Sequence, residues 1–209
     1  LYEEGPARHR GLASSLQSDQ LLFFRLDVEG DETTLQREDV LVLGSWLDEE
    51  ENVVGVRGLG VRPAEGDAPT TAFAVVERTA TTPERQAVDL VWFPVDGGGR
   101  APVSVLPLTR ETGATSARGL ALTPEGDALL LLLRDPDGIA RVELAPRGGG
   151  ALAPFVSTMV ATCRAPVSIE LGRVPLLPGG FADRAVVTCL DDDAVLAYQP
   201  SFLEVTAAS

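Results

Sequence analysis

The sequence predicts an all-β fold made of about four repeated units, each with about four antiparallel strands. Three observations support this prediction. A similar string recurs along the chain, short apolar stretches alternate with turns rich in Pro, Asp and Gly, and no segment sustains an apolar period of 3.6 residues. The chain of 209 residues is long enough to bury one sizeable core or two small ones.

The repeat is clearest where GLGVRPAEGD (58–67) recurs as GLALTPEGD (119–127). An arginine precedes both copies, the same Arg-Gly-Leu string occurs earlier, and a weaker echo follows near residue 164. The four arginines lie 47, 61 and 46 positions apart and are Arg10, Arg57, Arg118 and Arg164. Two of these intervals match one β-propeller blade of roughly 40–50 residues. We therefore predict a propeller segment over 1–209 with repeats at about 10–56, 57–117, 118–163 and 164–209.

Strand signals are strongest in the third repeat. The uniform apolar run 128–133 is bounded by Asp127 and Arg134 and predicts a buried strand. Asp135-Pro136-Asp137-Gly138 predicts the turn that follows. The second and fourth repeats have the same alternation of strands and turns, with a polar loop expected at 79–86. In the first repeat, 13–20 is polar and is interpreted as loop.

The string GLALTPEGDALLLLLRDPDGIARVEL (119–144) resembles one blade of the bacterial YVTN, NHL and lactonase-like propeller proteins. Residues 58–67 match the same opening, and 185–205 are similar to the later strands of such a blade. Propellers have about four to eight blades. The resemblance therefore implies either a small closed ring or a segment of a larger ring that another polypeptide completes. It also implies an alternative function, because lactonase-like hydrolases hold a divalent metal in the central channel.

Composition restricts the possible functions. The formal charge is −14, and all 17 basic residues are arginine, which argues against nucleic-acid binding and against anionic membranes. Without lysine, a P-loop or a Schiff base is excluded, and no GxSxG string occurs. The one histidine, His9, lies between arginines and is interpreted as exposed. The residue bias indicates a bacterial source with a GC-rich genome, and no segment has the roughly 20 apolar residues of a membrane span.

Two cysteines and two acidic runs are the remaining side chains that could form a bond or bind a metal ion. Cys163 and Cys189 each follow an apolar stretch, and either two buried thiols or a disulfide fits this pattern. A disulfide would indicate an oxidising compartment. The acidic runs are DEEE (48–51) and Asp191, Asp192 and Asp193; a solvated turn is the ordinary interpretation, and Ca²⁺ is the ion that such carboxylates would bind.

The repeated arginine is the candidate ligand-binding feature. If the repeats superpose, Arg10, Arg57, Arg118 and Arg164 would form a ring at one mouth of the channel. Such a ring could bind an anion, or each arginine could pair with a carboxylate of a neighbouring blade.

Together these features predict a non-catalytic, extracytoplasmic binding or scaffold module of the periplasm or cell surface. Its partner would be a protein or the remaining blades of a larger propeller. The alternatives are a metal-dependent lactonase-like hydrolase and a structural subunit that adds strands to a partner.

Overall fold

The computed structural model describes residues 2–5, 8–15, 18–43, 51–66, 68–80, 87–95, 103–146, 151–175 and 179–200. This part of the chain contains fifteen strands and one five-residue helix, so the all-β prediction is confirmed. No helix in it is long and apolar enough to cross a membrane.

The strands form four antiparallel sheets that follow one another along the chain. Each sheet is a meander in which consecutive strands pair, as turn-rich sequences of this kind predict. The first sheet contains β1 (Tyr2–Gly5), β2 (Arg8–Ser14), β3 (Gln20–Glu29) and β4 (Glu32–Val42). The second contains β5 (Glu51–Arg62), β6 (Thr71–Ala80), β7 (Ala87–Pro94) and β8 (Ser104–Pro107), after which α1 (Leu108–Thr112) begins.

The third sheet contains β9 (Ser116–Leu122), β10 (Ala128–Arg134), β11 (Gly138–Pro146) and β12 (Leu152–Ala161). The fourth contains β13 (Pro166–Pro175), β14 (Phe181–Cys189) and β15 (Ala194–Tyr198). The expected turn between β10 and β11 is present, with Asp135 at a positive φ of 55°. Four strands were predicted for every repeat, whereas the described residues of the fourth sheet form three.

The sheets stack face to face through three apolar clusters, one at each junction of consecutive sheets. The second strand of each interior sheet has alternating side chains in two different clusters. In β10, Leu129, Leu131 and Leu133 pack towards the second sheet, while Leu130 and Leu132 pack towards the fourth. Because both faces of this strand are covered, all five leucines are fully buried. The unbroken apolar run of β10 follows from this double burial.

In its second and third copies, the Arg-Gly-Leu string is a β-bulge followed by a close contact between sheets, whereas in the first copy Arg10 pairs directly with Arg25 and there is no bulge. In β5, Val56 pairs with Val76 and Gly58 with Val75, so Arg57 is the extra residue. Arg118 is the extra residue in β9 in the same way. A Cβ on Gly58 would lie 2.7 Å from the backbone nitrogen of Leu120, and only glycine leaves room for this approach.

The strand boundaries correct two sequence expectations about loops. β2 runs to Ser14, inside the segment 13–20 that was interpreted as loop. The expected loop at 79–86 overlaps the end of β6, which extends to Ala80, and residues 81–86 lie outside the described part of the chain. Whether the four repeats form one domain stays a prediction.

Candidate functional site

Two of the four repeated arginines meet at one carboxylate. The Arg57 Nε lies 2.6 Å from Glu77 Oε2 within the second sheet, and Arg118 Nη1 of the third sheet lies 3.3 Å from Glu77 Oε1. The same Oε1 accepts hydrogen bonds from Ser116 Oγ at 2.5 Å and from the Ala117 backbone N–H at 2.8 Å. Glu77 therefore joins the second sheet to the start of β9 in the third.

The contacts of Glu77 with Ser116, Ala117 and Arg57 change the pKa of its carboxyl group. Desolvation by burial raises the pKa of the carboxyl, but the hydrogen bonds from Ser116, Ala117 and Arg57 and the charge of Arg57 together outweigh it. The net result is a pKa below the ordinary glutamate value, because the donors favour the ionised form. Glu77 thus acts as a charged link between two sheets.

The other two arginines lie elsewhere. Arg10 Nε is 3.0 Å from Glu38 Oε2 within the first sheet. Arg164 lies before β13, where its Nε and its backbone N–H both bond the carboxylate of Asp192. The extra residue of the bulge in β13 is Val167, between the pairs Pro166–Cys189 and Ser168–Thr188. By strand register, Val167 rather than Arg164 is the counterpart of Arg57 and Arg118.

The structure thus brings Arg57 and Arg118 together and leaves Arg10 and Arg164 apart. All four have a carboxylate partner, and the pair that Arg118 forms with Glu77 joins two neighbouring sheets. A ring of arginines that binds an anion stays a prediction, and the pairing with carboxylates is the arrangement in this structure.

Asp89 in β7 is a buried carboxylate that sequence inspection missed. Its side chain is fully buried, and the Arg78 Nε is 2.5 Å from its Oδ2. Burial raises the pKa of Asp89, and the adjacent Arg78 charge lowers it by a smaller amount. In the sequence, Asp89 is the one acidic residue inside the apolar string AVDLVWFP (87–94). Its isolation there is the one feature of the sequence that could have indicated a buried carboxylate.

The two cysteines are joined. Cys163 and Cys189 form a disulfide, with their Cα atoms 6.0 Å apart. Both lie in the apolar cluster between the third and fourth sheets, beside Ile139 and Ile169. The bond links the segment before β13 to the end of β14 and so fixes one end of the fourth sheet. Its presence is compatible with an oxidising compartment.

The acidic run after β14 is a turn. Asp192 accepts the two hydrogen bonds from Arg164, and these donors lower the pKa of its carboxyl. Asp193 has a positive φ of 46°, as expected for Asp in a turn. Among the described residues, no group of three or more His, Cys, Asp and Glu side chains is arranged to hold a metal ion. A Ca²⁺ site stays a prediction, and in the DEEE run residues 48–50 lie outside the described residues.

An open cleft of about 340 Å³ lies where the third and fourth sheets separate. One wall is the turn between β9 and β10 together with Arg141, and the other wall comes from β14 and the segment after β15. A second cavity of about 450 Å³ adjoins it, since both share Pro124 and Asp183. Leu171 and Gly172 of β13 line this second part.

Charges of both signs line the cleft. Arg141 donates to Glu143 at 2.7 Å and to the backbone oxygen of Pro200 at 2.7 Å, so its guanidinium joins the two walls. Arg184 donates to the backbone oxygen of Asp183 at 3.0 Å. Glu125 is an exposed carboxylate on the opposite turn. The cleft can therefore offer an acceptor on one wall and a donor on the other.

The sequence did not predict this cleft as a binding site, although it did predict the turn that forms one of its walls. TPEGD (123–127) was identified as the repeated turn, and its structural role is clear: Thr123 Oγ1 lies 2.6 Å from Asp127 Oδ1 and also accepts from the Ala128 backbone N–H. Asp183 and Arg184 lie almost 60 positions further along the chain. No local pattern in the sequence connects the two walls.

No protein-family model and no curated protein matches the sequence, so membership of the YVTN or NHL families is not supported. A crystal structure from Bacteroides uniformis, of a protein provisionally named a 6-phosphogluconolactonase, matches 92% of this chain and 68% of its own length. The identity is 15% and the TM-score is 0.45, which is too low to transfer a function.

Proposed function

We propose that the chain is a non-catalytic, extracytoplasmic binding or scaffold module built on propeller-type sheets, with the cleft between its third and fourth sheets as the ligand surface. The observation that carries the proposal is the geometry of this cleft. Its two walls are held together by the third apolar cluster and by the hydrogen bond from Arg141 to the backbone oxygen of Pro200, so the concave surface is preorganised.

The chemistry of the walls favours a ligand with a positive and a negative group. Glu125 can accept from an ammonium group, and the Arg184 guanidinium can donate to a carboxylate. Pro124 and Leu171 supply apolar contact beside these charges. A short peptide has this combination of groups, and binding in such a cleft requires no nucleophile.

The test is nuclear magnetic resonance titration of the whole chain with an Arg-Glu dipeptide, and with maltose as an uncharged comparison. We expect saturable shifts at residues 123–127, 183–184 and 199–200 with the dipeptide, which Arg184→Ala weakens. Arg110→Ala is the matched control, because Arg110 is exposed on α1 and lines neither cavity. The absence of saturable shifts at millimolar dipeptide would exclude this ligand class.

The lactonase-like hydrolase is the alternative, and it makes a different prediction. A hydrolase of this kind would contain a stoichiometric divalent metal and would open a gluconolactone ring. Elemental analysis and a lactone hydrolysis assay on the same preparation distinguish the two. Metal at one equivalent together with hydrolysis would overturn the proposal of a non-catalytic module.

A further inference from the structure

The cleft between the third and fourth sheets opens because the two sheets diverge along β13. A Cβ on Gly119 of β9 would lie 3.2 Å from Ile169 Cγ2, so the sheets are in close contact there. The turn that follows β9 lies against the second sheet instead, since a Cβ on Gly126 would lie 3.5 Å from Arg62 Nε. The second cavity, of about 450 Å³, occupies the gap that this divergence leaves.

The second cavity has an apolar floor and a charged rim. Ile169 and Leu171 lie on the same face of β13, where Ile169 is buried in the third cluster and Leu171 packs against it, half-buried, at the cavity. Arg173 follows on this face and pairs across the strands with Asp183. Pro124 lines the cavity from the turn of the third sheet. An apolar group can therefore lie between Leu171 and Pro124 with a charged group beside it.

The ion pair at this rim leaves the Arg173 guanidinium accessible to a ligand. Arg173 Nε and Asp183 Oδ1 are 3.6 Å apart, and the two side chains are 78% and 49% exposed. An exposed pair at this distance contributes little to stability. A ligand carboxylate can therefore bind the guanidinium without the loss of a strong internal contact.

The charges along the cleft favour one direction for a bound peptide. The first cavity is lined by three acidic and two basic side chains, whereas the second is lined by one of each, Asp183 and Arg173. One of the two basic groups of the first cavity, Arg141, already donates to Glu143 and to the Pro200 backbone oxygen. The cationic amino-terminal end of a peptide is therefore favoured in the first cavity, and its carboxyl-terminal end in the second.

We infer that the second cavity binds an apolar residue at the carboxyl terminus of the peptide. The side chain of this residue lies against Leu171 and Pro124, and its α-carboxylate pairs with Arg173. This rests on the proposed function, because the first cavity must hold the two preceding residues of the same peptide. The ligand class is then a peptide that ends in an acidic residue followed by an apolar one.

Nuclear magnetic resonance titration of the whole chain with three tripeptides, Arg-Glu-Leu, Arg-Glu-Ser and Leu-Arg-Glu, tests the inference. Arg-Glu-Leu should bind about 5-fold more tightly than Arg-Glu-Ser, because the cavity removes part of the leucine side chain from water. The saturable shifts with Arg-Glu-Leu should extend to residues 171–173. Leu-Arg-Glu has the same composition but places its leucine at the wrong end, so it should neither bind more tightly than Arg-Glu-Ser nor shift these residues.

Two substitutions separate the side-chain contact from the carboxylate contact. Leu171→Ser should reduce the preference for leucine over serine to less than about 2-fold. Val167→Ser is the matched control, because Val167 is 42% exposed on the same strand and lines neither cavity, so the preference should stay unchanged. Arg173→Gln should weaken binding of Arg-Glu-Leu but not of its carboxyl-terminal amide. Leu171→Ala provides a milder change if the serine variant fails to fold.

Equal affinities for Arg-Glu-Leu and Arg-Glu-Ser would overturn the inference. Tighter binding of Leu-Arg-Glu, or a leucine preference that survives Leu171→Ser, would overturn it as well. The Arg-Glu dipeptide is titrated in parallel, which separates the two proposals. If the dipeptide binds and the added leucine does not raise the affinity, the role of the second cavity is refuted and the proposed function stands. If the dipeptide itself does not bind, both are refuted.

Discussion

Replacement of Glu77 by glutamine tests the link between the second and third sheets. The carboxylate accepts from Ser116, Ala117 and Arg57 and lies within 3.3 Å of Arg118. Glutamine keeps the shape but has one acceptor oxygen and no charge, so at least two charge-assisted contacts weaken, each worth about 1.5–3 kcal/mol. The Arg57 and Arg118 side chains are 20% and 31% exposed, and water compensates part of that loss.

We therefore expect Glu77→Gln to lower the free energy of unfolding by about 2–3 kcal/mol. The measurement is urea unfolding at pH 7, with an unchanged m-value and a lower midpoint. Glu65→Gln is the matched control. The Glu65 side chain is 77% exposed and pairs with Arg62 at 3.2 Å, so its loss should change stability by no more than about 0.5 kcal/mol. Equal effects of the two substitutions would refute the role given to Glu77.

Three further predictions use the same unfolding assay. The pKa of Glu77 in the folded protein is below its ordinary value of about 4.5. The contribution of the Glu77 carboxylate to the free energy of unfolding is therefore complete above pH 4.5 and is lost as pH falls through the folded pKa. The difference in stability between wild type and Glu77→Gln should shrink in acid. Gly58→Ala should cost about 1–3 kcal/mol, because its Cβ would press on the Leu120 backbone, whereas Gly172→Ala, with open space around it, should be nearly neutral. Cys163→Ser should cost about 3 kcal/mol, since the bond closes a loop of 26 positions in the unfolded chain.

A different experimental result would contradict each of these predictions. A Glu77→Gln deficit that stays constant down to pH 3 would mean that the carboxyl does not titrate with a lowered pKa. Equal destabilisation by Gly58→Ala and Gly172→Ala would mean that the sheets do not approach closely at β5. Wild type treated with a reductant should match Cys163→Ser, and a stability unaffected by either change would show that the disulfide does not contribute.

The fold was largely predictable because its strongest signals are local. The run 128–133 can be buried on both sides only if sheets cover both faces, and the turns beside it contain Pro, Asp and Gly. The repeated Arg-Gly-Leu string was also a correct sign of repetition. The physical cause in the second and third copies, a bulge followed by a glycine against the next sheet, became clear only from the strand register.

The site was less predictable because its parts come from distant positions. Arg164 looked like a fourth repeated arginine, but one string cannot show which residue is extra in a strand, and the bulge falls at Val167. Glu77 receives its donors from residues about 40 positions later. The cleft similarly depends on how far the third and fourth sheets separate, a property of their packing.

Hydrogen–deuterium exchange of the backbone amides tests the central claim, the face-to-face stack of sheets, most directly. If the stack is correct, β10, which is covered on both faces, should exchange slowest, near the rate of global unfolding. The segment of β4 from Glu32 to Arg37, which is exposed, should exchange much faster. Exchange of β10 as fast as that of this segment would contradict the stacked arrangement.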